Sequence, residues 1–189
     1  MKYLWMALVL VLTTTAADAA APVLPGDSVY QLKVELTAAD GRVSRLDELR
    51  GHPVLISMFY ASCDGVCPTI AFTMRKIEEA LTPAERAALR CVMVSFDPER
   101  DDIEALAEFA RVNKLEHAHW MVTRTQPASV SELAAVLDVR YRKLPNQSFG
   151  HSTVIAVLDT DGVVRGHTSK LGEVDPDFMR TVSTTIDGG

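Results

Sequence analysis

The sequence predicts an α/β domain built on a mixed sheet, with a hairpin added near each end. Three observations carry this reading. Apolar, β-rich runs alternate with segments of helical period through the middle of the chain. The run 53–60 is apolar almost throughout, as in a central strand covered on both faces. Asp40-Gly41 and Asp161-Gly162 are turn signals between short alternating segments, one early and one late.

The elements follow in order. Residues 1–20 read as a secretory signal peptide. Lys2 supplies a positive start, Tyr3 to Leu12 form an apolar core too short to span a bilayer, and Ala17-Asp18-Ala19 offers a small-x-small cleavage site. Residues 21–28 are a lead-in with Pro, Gly and Ser, and 29–189 form the folded domain. Val29 to Leu36 alternates at period two and is expected to be a half-buried strand. Arg42 to Arg45 returns from the Asp40-Gly41 turn, and Leu46 to Leu49 forms a short helical turn. After the run 53–60, a helix is expected from Pro68, with Ile70, Phe72, Met74, Ile77 and Leu81 as its apolar positions and Arg75, Lys76, Glu78 and Glu79 outside. Thr82-Pro83-Ala84-Glu85 is a capping box for a second, short helix. Cys91 to Phe96 reads as a strand ended by Asp97-Pro98. Asp101 and Glu104 read as a further capping box, for a helix to about Val112. His119 to Val122 is a strand, Pro127 to Leu137 a helix and Val139 to Lys143 a short strand. Val154 to Leu158 and Val163 to His167 form the late hairpin, and Asp175-Pro176 starts a last helix to about Ile186.

Composition narrows the function. The chain has 189 residues, enough for one core, and a net charge of −6 with no basic cluster. That balance argues against nucleic acid or an anionic membrane as partner. No phosphate-binding glycine loop and no Gly-x-Ser-x-Gly elbow is present. The chemistry points to the 3 cysteines, Cys63, Cys67 and Cys91. Cys63 and Cys67 are spaced i, i+4 between the central strand and the helix that follows. Helical geometry puts them about one turn apart on one face, a Cα separation of roughly 6 Å, which a disulfide permits. The helix N-terminus favours their thiolates. Three readings stay open on these residues alone: a structural disulfide, thiol–disulfide exchange, or a soft-metal site. A structural staple closing so short a loop would add little stability. His151, in Phe149-Gly150-His151-Ser152-Thr153, ends a polar loop before the apolar run from Val154. If that run lies antiparallel to 53–60, His151 arrives beside the cysteines. Cys91 reads as a buried free thiol. His117 and His119 share a face if extended, and read as a solvated edge before a surface metal site. Met58, Met74, Met93 and Trp120 read as core.

Three segments resemble the Sco (SenC-type) family of copper-binding proteins: Phe59-Tyr60-Ala61-Ser62-Cys63 through Cys67-Pro68-Thr69, Val94-Ser95-Phe96-Asp97-Pro98-Glu99-Arg100-Asp101, and His151-Ser152. The resemblance spans residues 25–187. It implies a thioredoxin-like fold with added hairpins. It implies copper, as Cu(I) or Cu(II), held by Cys63, Cys67 and His151. It gives Asp97 a supporting place, orienting the site or shaping partner docking, although Asp97-Pro98 read alone is a strand-ending turn. The implied partners are the copper-accepting subunit of cytochrome c oxidase or another periplasmic cuproenzyme, a periplasmic copper donor, and a thiol reductant that keeps the cysteines ready. The alternative is a thiol–disulfide oxidoreductase acting on client copper-site cysteines, for which Cys63 and Cys67 would be the catalytic pair. The Cys-x-x-Cys spacing of thioredoxins is absent. Where many members have Cys-Pro-x-x-Cys-Pro, this chain has Asp64-Gly65-Val66 between its cysteines. Many members are membrane-anchored, whereas a cleavable signal implies a soluble periplasmic form; an uncleaved segment anchoring the chain to the membrane is the alternative.

Overall fold

The structure is a computed structural model, and it describes residues 23–63, 65–146 and 148–189. The signal-peptide reading of residues 1–20, the first two lead-in residues and Asp64 between the cysteines lie outside the described residues.

The strands are β1 (Glu35–Ala38), β2 (Val43–Arg45), β3 (Val54–Phe59), β4 (Arg90–Ser95), β5 (Trp120–Thr125), β6 (Tyr141–Lys143), β7 (Phe149–His151), β8 (Ile155–Leu158) and β9 (Val164–Thr168). The helices are α1 (Val66–Ala80), α2 (Pro83–Ala88), α3 (Ile103–Val112), α4 (Pro127–Val136) and α5 (Pro176–Asp187). Seven strands form one sheet in the order β2-β1-β5-β4-β3-β8-β9, and β6 and β7 form a separate two-stranded sheet. The middle, β3-β4-β5, is parallel, and antiparallel β1 and β8 flank it. This is the expected mixed sheet of a thioredoxin-like fold with hairpins added.

β3 is buried at every position, which is why its sequence is apolar throughout rather than alternating. Its register does the work of bringing the site together. Phe59, at its end, pairs with Ser95 at the end of β4, and Ser57 pairs with Ile155 at the start of β8. Three segments therefore meet at one edge of the sheet: the cysteine loop after β3, the Asp97 segment after β4, and the His151 segment before β8. Ligand sites at the carboxyl ends of parallel strands follow from that arrangement.

Several expectations hold in detail. Gly41 takes φ +81 in the early turn, where Ala38 N–H donates to Arg42 O at 2.9 Å. The Thr82 capping box forms, with Glu85 N–H to Thr82 Oγ1 at 3.3 Å and Thr82 N–H to Glu85 Oε2 at 2.8 Å. Met58, Met74, Met93 and Cys91 are buried in the core.

Three expectations are corrected. Val29 to Leu36 is not one strand. Val29–Leu32 is a 3-10 turn, capped by Ser28 Oγ accepting from Tyr30 N–H, and Lys33 at φ 50 reverses the chain before β1. Val29 and Tyr30 are both buried, and such adjacent burial cannot arise from a period-two strand with one wet face. The helix after β3 begins at Val66 rather than Pro68, so Pro68 stands as its third residue, where an N–H has no intrahelical partner anyway. The cap of α3 is Asp102, whose carboxylate accepts from Ala105 N–H at 2.9 Å. Asp101 is buried and bonded elsewhere.

Candidate metal centre

The site is built from the chain that leaves β3. Tyr60 O accepts from Cys63 N–H at 3.2 Å, which closes a tight turn. Gly65, the residue before α1, offers no side chain to cap the helix. Cys63 Sγ takes that place by accepting the N–H of Cys67 at 3.4 Å. The first turn of α1 thus holds one sulfur against the backbone of the other cysteine. Cys63 is 8% exposed and Cys67 is fully buried, and both are free thiols.

His151 comes from β7. Its Nδ1 lies 3.0 Å from Ser152 O, and because a carbonyl only accepts, Nδ1 carries the proton. Nε2 is then the nitrogen turned to the sulfurs, and it lies 3.8 Å from Cys67 Sγ. A ring fixed in this way through its other nitrogen is the usual arrangement of a metal-ligating histidine. The two sulfurs and the imidazole nitrogen all lie within 4.8 Å of one another. Among the described residues this is the one group of histidine, cysteine or acid side chains assembled closely enough to hold a metal ion.

The spacing fits a small soft cation. Bonds of roughly 2.3 Å to sulfur and 2.0 Å to nitrogen, opened to a trigonal angle, separate sulfur from nitrogen by about 3.7 Å. The 3.8 Å from Cys67 Sγ to His151 Nε2 matches this. Two thiol sulfurs suit Cu(I), and one imidazole extends the set towards Cu(II). The cluster is therefore consistent with a copper site.

The two thiols differ in acidity. Burial opposes ionisation of Cys63, but the Cys67 thiol, the N–H groups of Cys67 and Gly65 and the Tyr60 hydroxyl together outweigh it and bring its pKa below the ordinary thiol value. Burial pushes the Cys67 thiol far above that value, and the hydrogen bond with Cys63 adds to the rise. Cys63 is thus both the more accessible sulfur and the readier thiolate.

A ring cluster holds the histidine. Phe96, at the end of β4, lies 5.0 Å from His151, 5.1 Å from Phe149 and 5.4 Å from Tyr141, ring centroid to centroid. Tyr60 meets His151 edge-on at 6.0 Å. Phe149 and Tyr141 were not legible as site residues. Their one signal was an aromatic at alternating positions on short segments flanking a polar loop. The sequence put His151 at the end of that loop; it stands on β7, paired with Tyr141 of β6.

The segment after β4 carries two acids. Asp97 is not among the residues gathered at the sulfurs; its carboxylate pairs with Arg100. Asp101, which the sequence read as a helix cap, is 1% exposed. Asp101 Oδ2 accepts from Ala61 N–H at 2.8 Å and from the Ser95 hydroxyl, so it ties the cysteine loop to the end of β4. Burial raises the pKa of its carboxyl.

His117 and His119 lie elsewhere. Their rings stand 6.5 Å apart at 20°, and His119 Nε2 bonds the carboxylate of buried Glu78, which also accepts from Trp120 Nε1 at 2.7 Å. That network joins α1 to the start of β5 and gathers no third metal ligand among the described residues.

A thioredoxin-like sheet that presents two thiols and an imidazole at the end of its central strand defines a class of small thiol and metal-handling proteins. Within it the chain belongs to the SCO1/SenC family, whose model matches residues 25–185. Among curated relatives, an "SCO2-like protein" of Rickettsia conorii is 26% identical over 141 residues, which cover 70% of this chain and 66% of that one. An "SCO1 protein homolog" of Bacillus subtilis is 28% identical over 96 residues, 50% of this chain and 49% of the relative. The chain thus spans about two thirds or less of the length of these relatives. Among solved structures, Bradyrhizobium japonicum ScoI with copper bound aligns at a TM-score of 0.67 and 22% identity, covering 80% of this chain and 96% of that one. An SCO1/SenC family lipoprotein from Bacillus anthracis aligns at 0.71 and 21%, covering 80% and 91%. These structural likenesses establish the fold. No helix among the described residues is long and apolar enough to cross a membrane.

Proposed function

We propose that this protein is a copper carrier of the periplasm, with Cys63, Cys67 and His151 as the ligands. The observation that carries the reading is the convergence of two sulfurs and one imidazole nitrogen within 4.8 Å, close enough to share one small metal ion. The copper-bound ScoI of Bradyrhizobium japonicum and the likeness to BsSco, a member of the Sco family of cytochrome c oxidase assembly proteins, support it. Cys63 and Cys67 hold Cu(I), and His151 makes the site competent for Cu(II). Cys63, nearer the surface and the readier thiolate, is where a partner's ligand enters first. Buried Cys67 lets go last. Copper then passes by ligand exchange to a cuproenzyme, the copper centre of cytochrome c oxidase being the family's client. Both cysteines must be reduced before loading, so a thiol reductant precedes each cycle.

The second reading rests on the unequal thiols. In a thiol–disulfide oxidoreductase, Cys63 thiolate attacks a client disulfide and expels one client thiolate. Cys67 then attacks the mixed disulfide, which releases the second client thiol and leaves Cys63–Cys67 oxidised. His151 has no necessary part in that exchange.

One titration separates them. Reduced protein is titrated with Cu(I) and Cu(II) beside His151→Ala and Cys63→Ser. The carrier predicts one tight equivalent, with Cu(II) binding lost in His151→Ala. Wild-type binding no tighter than that of Cys63→Ser overturns it. Client-disulfide reduction at full rate in His151→Ala would then favour the oxidoreductase.

A further inference from the structure

The segment between β4 and α3 carries two buried acids four residues apart, Asp97 and Asp101, and neither is gathered with the sulfurs and imidazole of the metal centre. Each leads to a different half of that centre. Asp101 Oδ2 holds the Ala61 N–H at 2.8 Å, two residues before Cys63, while also accepting from Ser95. Asp97 pairs with Arg100, whose guanidinium carbon stands 5.7 Å from the centre of the Phe149 ring. Phe149 is two residues before His151 on β7. A guanidinium within about 6 Å of an aromatic face is attracted to it.

The turn itself is well anchored. Asp97 O accepts from both Arg100 N–H and Asp101 N–H at 3.0 Å, and Asp97 N–H donates to Ser95 Oγ at 2.9 Å. This spacing keeps the two carboxylates in fixed relation. By contrast β6 and β7 form a separate hairpin outside the main sheet. Two strands alone are marginal in water, so the hairpin needs side-chain attachments to keep His151 in place.

We infer that the β4–α3 turn is a divided scaffold for the centre. Asp101 positions the cysteine loop, and Asp97, through Arg100 and the Phe149 ring, positions the histidine hairpin. Both are positioning residues; neither is a ligand. The consequence for copper rests on the copper-carrier reading: the Asp97–Arg100 branch governs the His151-dependent Cu(II) state, and Asp101 governs the two-sulfur platform that both oxidation states share.

The test crosses the two branches and includes readouts that need no copper. The variants are Asp97→Asn, Arg100→Ala, Asp101→Ala and Asp101→Asn. His151 exposure is read by its rate of carbethoxylation, and the cysteine loop by the Cys63–Cys67 midpoint potential. Cu(I) and Cu(II) affinities are read by competition with chelators. Arg100→Ala and Asp97→Asn should speed His151 modification and weaken Cu(II) by about two- to fivefold, leaving the thiol potential and Cu(I) affinity unchanged. Asp101→Ala should shift the potential and weaken Cu(I) and Cu(II) alike, by roughly tenfold. Asp101→Asn, whose amide oxygen can accept both hydrogen bonds, should restore most of that loss; a merely misfolded variant gives no such rescue pattern. If Arg100→Ala and Asp101→Ala change the same readouts by the same factors, the division is overturned. If the modification rates and potentials divide as stated while wild type binds no copper, the scaffold stands and the copper reading falls.

Discussion

Replacing Phe96 by leucine should loosen the hairpin that carries His151 without dismantling the sheet. Leucine fills most of the same buried space, so the loss of apolar burial is small. What disappears is ring-to-ring contact. Phe96 meets three rings of the hairpin, Tyr141 at 5.4 Å, Phe149 at 5.1 Å and His151 at 5.0 Å. Aromatic pairs contribute about 1 kcal/mol each beyond their area, so the three together give about 3 kcal/mol. At about 1.4 kcal/mol per decade, hairpin opening should become roughly 100-fold more frequent. Amide hydrogen exchange in β7 measures this directly. It should quicken by about that factor or reach the unprotected rate, while urea unfolding reports a loss no larger than about 3 kcal/mol. Unchanged β7 exchange, with the whole loss confined to the urea transition, would refute the idea that Phe96 docks the hairpin.

Alkylation of the reduced protein should fall on Cys63, and continue to lower pH than for a free thiol, because its pKa is lowered; mass mapping at pH 7 checks this, with Cys67 and Cys91, both raised by burial, left unmodified. In stability, the depressed Cys63 value contributes above the unfolded thiol pKa and is lost as pH falls through the folded value. The raised Cys91 value contributes below the unfolded pKa and is lost as pH rises through the folded one. Gly162→Ala should cost about 3 kcal/mol, since the new Cβ would lie 2.6 Å from Tyr30 Cδ2 at φ +80, whereas Gly172→Ala, at φ +83 with open space around it, should cost about 1 kcal/mol; thermal melts compare them. Glu78→Leu strands the Trp120 N–H in the interior and should cost about 2 kcal/mol by urea unfolding, with Glu78→Gln closer to wild type because it keeps an acceptor.

What could be read in advance was local. The Thr82 capping box, the Gly41 turn and the two-sided burial of β3 are each written in a few adjacent residues, and the structure agrees with them. Val29 to Leu36 misled because a 3-10 turn followed by a left-handed Lys33 happens to alternate polar and apolar residues. Asp101 misled because Asp101 and Asp102 are adjacent acids before one helix, and only the contact with Ala61, forty residues away in sequence, decides which of them caps it. The sulfur pair was legible from spacing. The place of His151 followed once β8 was taken as antiparallel to β3, which the register bears out. The attachment of its hairpin was not legible, because the contacts of Phe96 and Arg100 with Phe149 join segments that share no sequence pattern.

On the proposed function, copper sits between Cys63, Cys67 and His151. X-ray absorption of the Cu(II)-loaded protein tests it most directly. Two sulfur neighbours and one imidazole nitrogen are expected, with the imidazole signal lost in His151→Ala. A spectrum of oxygen and nitrogen neighbours without sulfur would contradict it.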